Sequence, residues 1–194
     1  EADGAAWANA RRGMEQAAAD LYVELRFLYP GQSNSSEEQG QLLRREVESG
    51  ASAILLFPTD REALAEEVRR TAAGAALVTL ETDMETAAGY VGVDNQALGE
   101  ALGRAALNGV PLGGTVLLID GAFAGSGIGE RMAAAADLLE LEEREVRLFS
   151  GTGDALEEAL ARGEIRAVIA FEASKLEQAA EVMSRLEHPP LLYG

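Results

Sequence analysis

The stretch that decides the fold is ASAILLFPTD, residues 51–60. Its five consecutive apolar residues, Ala53 to Phe57, indicate a β-strand that is covered on both faces, as in a parallel sheet. The next two residues end the strand, and Asp60 is a suitable N-cap for a helix predicted over residues 62–73. A buried strand followed directly by an amphipathic helix is the repeating unit of an α/β fold.

The same unit recurs on both sides of this stretch. The other strands are predicted at residues 23–28, 76–80, 90–93, 115–119, 145–149, 167–170 and from 191 onward. The other helices are predicted at residues 7–21, 37–48 (capped by Ser36), 96–107, 129–140, 155–162 and 175–186. Regular alternation of strands and helices predicts right-handed crossovers and mainly parallel sheets. Ligands of such sheets bind at the carboxyl ends of the strands, in the loops that lead into helices.

The composition agrees with a layered α/β protein. The 194 residues suffice for one large domain or two small ones, and they are 47% hydrophobic and 25% charged. Aromatic residues make up only 5% of the chain, which also contains 21 glycines. Small residues allow helices to pack closely on a sheet, so this composition favours layered α/β over a β-sandwich.

Charge and residue types exclude several classes of function. The net charge of −17 repels phosphate backbones, so nucleic-acid binding by this segment is not expected. There are no cysteines and a single histidine, His188, so we expect no metal site, no thiol nucleophile and no Ser-His-Asp triad. The Gly-rich loop at residues 121–129 lacks the G-x-G-x-x-G spacing of dinucleotide-binding loops. The sequence therefore predicts no cofactor and no enzymatic activity.

No targeting or membrane segment is recognisable in the sequence. No apolar run approaches the roughly 18 residues that a membrane-spanning helix needs. The chain also does not open with the basic and then apolar pattern of a signal peptide. We expect any targeting segment to have been removed or never included.

Several strand-end motifs resemble those of type I sugar-binding periplasmic proteins. Residues 51–60 resemble the family segment GVDAIVLSPTD, and residues 77–83, LVTLETD, resemble VVTIDSD. Residues 90–95, YVGVDN, followed by Gly99 and Gly103, resemble the family pattern YVGTDN…G…G. Residues 11–14 are similar to its first helix. The motifs occur in order along nearly the whole chain.

The resemblance implies a fold of two α/β lobes that close on a ligand. We place the N-terminal lobe at residues 1–94 and the C-terminal lobe at residues 95–194. Relative to the family, the first strand of lobe 1 and the C-terminal segments are missing, so both lobes are expected to be partial. A central strand that is missing leaves backbone groups unpaired. We therefore expect a neighbouring chain, a swapped segment or a rearranged sheet to compensate.

The resemblance also implies five ligand-binding residues: Trp7, Glu81, Asp83, Arg131 and Glu172. Trp7 lies where the family has aromatic rings that stack on a sugar, and the alternative is packing at a helix start. Glu81 stands where the family often has an Asp that binds hydroxyls, and Asp83 follows it; capping or solvation is the alternative for both. Arg131 matches an arginine that bridges ring oxygens, against the alternative of a salt bridge across the cleft. Glu172 replaces a usual Asn.

The predicted cleft holds three carboxylates against one arginine. An ionised Glu only accepts hydrogen bonds, whereas the usual Asn both donates and accepts. This surplus of acceptors favours a sugar, a polyol or an amine-bearing sugar over an anionic ligand.

Three functions follow from these observations. The first is an extracytoplasmic solute-binding protein of an ABC-type sugar uptake or sensing system, periplasmic or lipid-anchored, with a membrane permease or a sensor as partner. The second is the effector-binding domain of a lac-repressor-type regulator, which shares the fold. The third, a hydrolase or transferase on an α/β scaffold, lacks a recognisable catalytic constellation. A homo-oligomer formed through the incomplete sheet is a further expectation.

Overall fold

The computed structural model describes residues 5–194, apart from residue 33, residues 120–125 and residue 152. Within them, helices and strands alternate along most of the chain, and the strands form two parallel sheets. The helices are α1 (Ala5–Leu21), α2 (Ser36–Glu48), α3 (Arg61–Ala72), α4 (Asn95–Leu107), α5 (Gly127–Leu141), α6 (Gly153–Ala161) and α7 (Ala173–Met183). The strands are β1 (Ala53–Leu56), β2 (Ala76–Leu80), β3 (Gly89–Val91), β4 (Thr115–Ile119), β5 (Glu145–Phe149), β6 (Ile165–Ala170) and β7 (Leu191–Tyr193). The predicted α/β class with parallel sheets is confirmed.

The second sheet has the strand order β5-β4-β6-β7 and a helical layer on each face. All five residues of its central strand β4 are buried. Val116 and Leu118 pack in a cluster with α4 and α5, whereas Leu117 and Ile119 pack in a cluster with α6 and α7. Because successive side chains of a strand point to opposite faces, burial on both faces requires the continuous apolar run seen in the sequence.

The first sheet has the order β1-β2-β3 and is packed on one face. Ile54, Leu56 and Leu77 belong to a core cluster with residues of α2 and α3. On the opposite face, Leu55 is 49% exposed and Phe57, just after the strand, is 37% exposed. The prediction that this strand is covered on both faces is therefore wrong for the described residues.

The helix starts show which polar residues act as caps. The Asp60 carboxylate accepts hydrogen bonds from the amides of Glu62 and Ala63, both at 2.9 Å, so the predicted cap of α3 is confirmed. For α2, Ser35 and not Ser36 is the cap, since its hydroxyl accepts from the amide of Glu38 at 3.2 Å. Ser35 has the extended backbone that an N-cap needs, while Ser36 is already the first helical residue.

The strand predicted at residues 23–28 does not form. A strand needs a neighbour that takes up its backbone hydrogen bonds, and no described strand lies beside this segment. Val23 and Leu28 are 56% and 43% exposed. The alternating pattern of this segment indicates a local preference for extended backbone. Among the described residues, no strand pairs with it.

The chain passes from the first sheet to the second between β3 and α4. Helix α4 packs against α5 and contacts the second sheet. The loop that follows β2, residues 81–83, contacts the first turns of both helices. At this junction, residues 81–83, which follow the carboxyl end of β2 in the first sheet, lie next to α5, which precedes β5 of the second sheet.

Candidate functional site

An ion pair joins the two halves of the molecule at this junction. Glu81 directly follows β2, and Arg131 lies in the first turns of α5. The Nη2 of Arg131 donates to the Glu81 carboxylate at 2.5 Å. The Arg131 side chain is only 14% exposed, whereas that of Glu81 is 46% exposed. Two of the five predicted ligand-binding residues are thus in direct contact.

Asn95 connects both partners of this ion pair. Its side-chain oxygen accepts from Nε of Arg131 at 2.6 Å, and its side-chain nitrogen donates to the backbone carbonyl of Glu81 at 2.9 Å. A guanidinium only donates and a carbonyl only accepts, so the two contacts fix the orientation of the Asn95 amide. Asn95 is 5% exposed, and both of its side-chain polar atoms are satisfied.

Tyr90 also contacts the backbone of Glu81. Its hydroxyl donates to the carbonyl of Val93 at 2.8 Å and lies 3.3 Å from the carbonyl of Glu81. Partial burial raises the pKa of Tyr90, and the negative charges of Glu81 and Asp83 raise it further. Glu81 has a φ of 63°, a left-handed conformation that is uncommon for a residue other than glycine.

Further contacts link residues 82 and 83 to α5. The amide of Gly127 donates to the Thr82 hydroxyl at 2.8 Å, and Thr82 is buried. Arg61 of α3 pairs with Glu130 of α5 and donates from Nε to the carbonyl of Asp83 at 2.8 Å. Charge and backbone contacts together hold this loop against α5.

Two glycines allow the close approach on which these contacts depend. A Cβ at Gly127 would lie 2.0 Å from the carbonyl oxygen of Glu81. A Cβ at Gly99 would lie 2.1 Å from the carbonyl oxygen of Arg131. Both distances are far below van der Waals contact, so only glycine fits either position without movement of the backbone.

Trp7 lies in an aromatic cluster at the carboxyl end of β1. Its ring is 5.1 Å from that of Phe57 and 6.5 Å from that of Phe27, both edge to face. The guanidinium of Arg11 lies 4.7 Å from the centre of the Phe27 ring. Trp7 is partly exposed, so its ring contacts other aromatics on one side and keeps accessible surface.

Asp83 and Glu172 occupy different places from the Glu81–Arg131 pair. Asp83 is exposed and lines an acidic groove with Tyr90, Asp94 and Glu130. Glu172 is half-buried at the N-cap position of α7, after the carboxyl end of β6, and makes no capping bond. Of the five predicted residues, the structure brings Glu81 and Arg131 together, and it places Trp7 in the first turn of α1, Asp83 in the loop after β2 and Glu172 before α7.

Sequence reasoning missed most of the partners that order this junction. Tyr90 and Asn95 were noted only within the motif of residues 90–95, and Thr82 only within the motif of residues 77–83; none of them was predicted to make these contacts. The contacts of Asn95 and Thr82 join residues that are 14 to 45 positions apart in the chain. The run at residues 90–95 marked the right region, but no spacing rule relates it to Arg131. Only the packing of α4 on α5 reveals the connection.

In the described part of the chain, no group of three or more histidine, cysteine or acidic side chains has an arrangement that could hold a metal ion. No helix among the same residues combines the length and the apolar character needed to cross a membrane.

The comparison with family models decides the family. The model described as a periplasmic binding protein domain matches residues 1–188. The chain belongs to this family. Members of the family bind solutes and are not enzymes. Comparison with curated protein sequences gave no match.

Solved structures agree with the family assignment in fold. The XylFII-LytSN complex contains a chain with a TM-score of 0.85 and 19% identity, and the match covers 97% of this chain and 73% of that one. GanP, a glucose-galactose binding protein from Geobacillus stearothermophilus, has a TM-score of 0.81 and 19% identity, with coverages of 98% and 72%. An ABC transporter solute binding protein from Burkholderia graminis C4D1M, in complex with D-arabinose, has a TM-score of 0.79 and 18% identity, with coverages of 94% and 68%.

Proposed function

We propose that this protein is the extracytoplasmic solute-binding component of an ABC-type sugar uptake or sensing system. Its ligand is a small sugar, a polyol or an amine-bearing sugar. The observation that carries the proposal is the meeting of Glu81 and Arg131, a hydroxyl-binding carboxylate and a guanidinium from opposite halves of the molecule. Family membership and the sugar-binding proteins of the same fold support it.

The cleft lies between a lobe of residues 1–94 and a lobe of residues 95–194. This division is supported by α4, which begins at Asn95 and packs with α5 on the second sheet. We propose that Glu81 and Arg131 contact the ligand. Trp7, Asp83 and Glu172 contact it as well when the junction opens. Each follows a strand or begins a helix at a place where parallel sheets bind ligands.

The charges of these residues favour a neutral or cationic ligand. Glu81, Asp83 and Glu172 bring three carboxylates, and Arg131 is already paired with one of them. An anionic ligand would have to approach two carboxylates, those of Asp83 and Glu172, that form no ion pair with a described residue, whereas sugar hydroxyls can donate to them. Trp7 is partly exposed, and its ring can offer an apolar surface to the C–H face of a sugar.

The proposed partner of the loaded protein is a membrane permease or a sensor. The XylFII-LytSN complex is an assembly of a protein of this fold with a sensor. We also propose that a neighbouring chain pairs with β1, which is an edge strand of the first sheet and in which Leu55 is accessible. No observation favours the alternative of an effector-binding domain of a lac-repressor-type regulator.

A thermal-shift screen of sugars, polyols, sugar amines and sugar phosphates tests the function. A ligand at 100 times its Kd stabilises the folded state by about 2.7 kcal/mol. For a chain of this size that corresponds to a Tm increase of roughly 5–10 °C. We expect increases with neutral or amine-bearing sugars and no comparable increase with sugar phosphates.

Two variants then test the proposed residues. Arg131→Ala is expected to reduce the shift by half or more, and Glu172→Asn, which restores a donor, is expected to change the order of preferred ligands. Arg162→Ala is the matched control, because Arg162 forms an exposed ion pair with Glu158 within α6 and the turn after it. Unchanged shifts in Arg131→Ala and Glu172→Asn would remove both residues from the site.

A further inference from the structure

The side chain of Asn95 holds the arginine that we assign to ligand binding. Among the described residues, it is the side chain that bonds both to Arg131 and to the Glu81 backbone. It is 5% exposed and lies at the first position of α4. Asp94 caps that helix by accepting from the amide of Ala97 at 2.9 Å, so the backbone of Asn95 is itself fixed.

The two bonds to Arg131 act on different edges of its guanidinium. Asn95 accepts from Nε at 2.6 Å, and Glu81 accepts from Nη2 at 2.5 Å. A planar group held at two of its nitrogens has a fixed plane, whereas a group held at one nitrogen can rotate. The plane matters because a guanidinium recognises neighbouring oxygens through donors of fixed geometry.

The two bonds also differ in their access to water. Asn95 is almost fully buried, while the Glu81 side chain is 46% exposed. A ligand hydroxyl that enters from the cleft can therefore take the place of the Glu81 carboxylate on Nη2. The bond from Nε to Asn95 stays in place during this exchange, and so does the plane of the guanidinium.

We propose that Asn95 is a positioning residue that fixes the plane of the Arg131 guanidinium and thereby determines which arrangement of ligand hydroxyls is preferred. This inference rests on the proposed sugar-binding function. Asn95 acts through Arg131 and not by touching the ligand. Loss of its side chain should alter the preference among sugars, and a purely structural role would weaken binding of all sugars alike.

The first test needs no ligand and uses the full-length protein. In ¹H–¹⁵N spectra, the Nε–H of Arg131 is assigned by its disappearance in Arg131→Lys. We expect slow hydrogen exchange of this Nε–H in the wild type and fast exchange in Asn95→Ala. In Asn95→Asp the acceptor remains, so slow exchange should be retained although the donor to the Glu81 carbonyl is lost. Rapid exchange in the wild type would overturn the inference.

The second test measures preference by calorimetry with D-arabinose, D-glucose and D-galactose as probes. We expect Asn95→Ala to lower the affinity for the best probe about tenfold, the effect of about 1.4 kcal/mol, and to reduce the ratio between best and worst probe. Asn95→Asp should keep the order of preference. Gln16→Ala is the control, since Gln16 is exposed on α1 and its side chain donates to Asp20 four residues further on.

The outcomes separate this inference from the proposed function. If the wild type binds a probe and Asn95→Ala binds all three with the same ratios, the inference is overturned and the function stands. If the wild type binds none of the probes or other neutral sugars, while the Nε–H of Arg131 exchanges as expected, the function fails. In that case the positioning of Arg131 by Asn95 is retained and its role in preference is overturned.

Discussion

At the scale of single residues, Tyr90 lies at the junction between the two halves, and its titration depends on its contacts there. Its hydroxyl contacts the backbone of Val93 and approaches that of Glu81, and burial with nearby carboxylates raises its pKa. A tyrosine whose pKa is higher in the folded than in the unfolded state stabilises the fold below its unfolded pKa of about 10. This contribution is lost as the pH rises through the folded-state pKa.

We therefore predict a late alkaline titration that depends on Tyr90. Tyrosinate absorbance at 295 nm should show a step above pH 10 that is missing in Tyr90→Phe, with stability of the wild type decreasing over the same range. Tyr22→Phe is the control, because Tyr22 is 96% exposed. A titration of Tyr90→Phe that coincides with that of the wild type, less one ordinary tyrosine, would contradict the prediction.

The sequence predicted individual residues where a local rule applies. Asp60 was identified as a cap because capping depends on the next three residues of the chain. Glu81 and Arg131 were identified only through resemblance, and their contact corresponds to the alternative of a salt bridge across the cleft. The contacts of Asn95 could not be predicted from the sequence, since its partners are 14 and 36 positions away.

At the scale of elements, Gly127 allows the first turn of α5 to approach the loop after β2 closely. A methyl group there would meet the carbonyl oxygen of Glu81 at 2.0 Å. We predict that Gly127→Ala moves α5 away from the loop and destabilises the protein by about 1–3 kcal/mol, the usual cost of overpacking. Urea unfolding measures the change, and the Arg131 Nε–H should lose its protection at the same time.

Gly13→Ala is the matched control for this substitution. Gly13 lies within α1, and a Cβ there would have nothing within 4 Å. Replacement of an unhindered helical glycine by alanine stabilises by roughly 0.5–1 kcal/mol. Equal effects of the two substitutions would show that α5 does not depend on close approach at Gly127.

The elements themselves were largely predictable, with two instructive failures. β4 was read correctly because its apolar run reflects burial on both faces. The similar run in β1 gave the wrong burial, since one face of that strand exposes Leu55. Residues 23–28 have the composition of a strand but no described neighbour to pair with. Periodicity predicts what an element can bury, and the packing of the chain determines whether it does so.

At the scale of the whole molecule, charge and exposed apolar surface act in opposite directions. The net charge of −17 makes copies of the chain repel one another. β1 is an edge strand of the first sheet, and Leu55 in it and Phe57 just after it are exposed to solvent, a surface suited to association. Salt screens the repulsion over a distance of about 10 Å at 0.1 M, while apolar burial persists.

We therefore predict association that strengthens with ionic strength. Sedimentation equilibrium should show a larger mean mass at about 0.5 M than at about 0.02 M NaCl, because screening is stronger at high salt. Leu55→Lys should reduce the association, whereas Leu141→Lys should not, since Leu141 is 78% exposed at the far end of α5. A monomer at both salt concentrations would contradict the prediction.

The strand-end motifs, in their order along the chain, made the family recognisable from the sequence; the family model confirms it, and the solved structures agree in fold. The relation between the two sheets could not be obtained in the same way. It depends on the contacts of Asn95, Thr82 and Gly127 across the junction, which combine a buried amide, a hydroxyl and a missing side chain. None of these leaves a periodic signal.

The most direct test of the account is a calorimetric comparison of a neutral sugar with its phosphate in the wild type and Arg131→Ala. The account predicts saturable binding of at least one of D-arabinose, D-glucose and D-galactose, weaker binding of the corresponding phosphate, and about 10- to 100-fold weaker binding of the sugar to Arg131→Ala. That range corresponds to the loss of a charged hydrogen bond of about 1.5–3 kcal/mol. Preference for the phosphate, or equal affinity of the two proteins for the sugar, would contradict it.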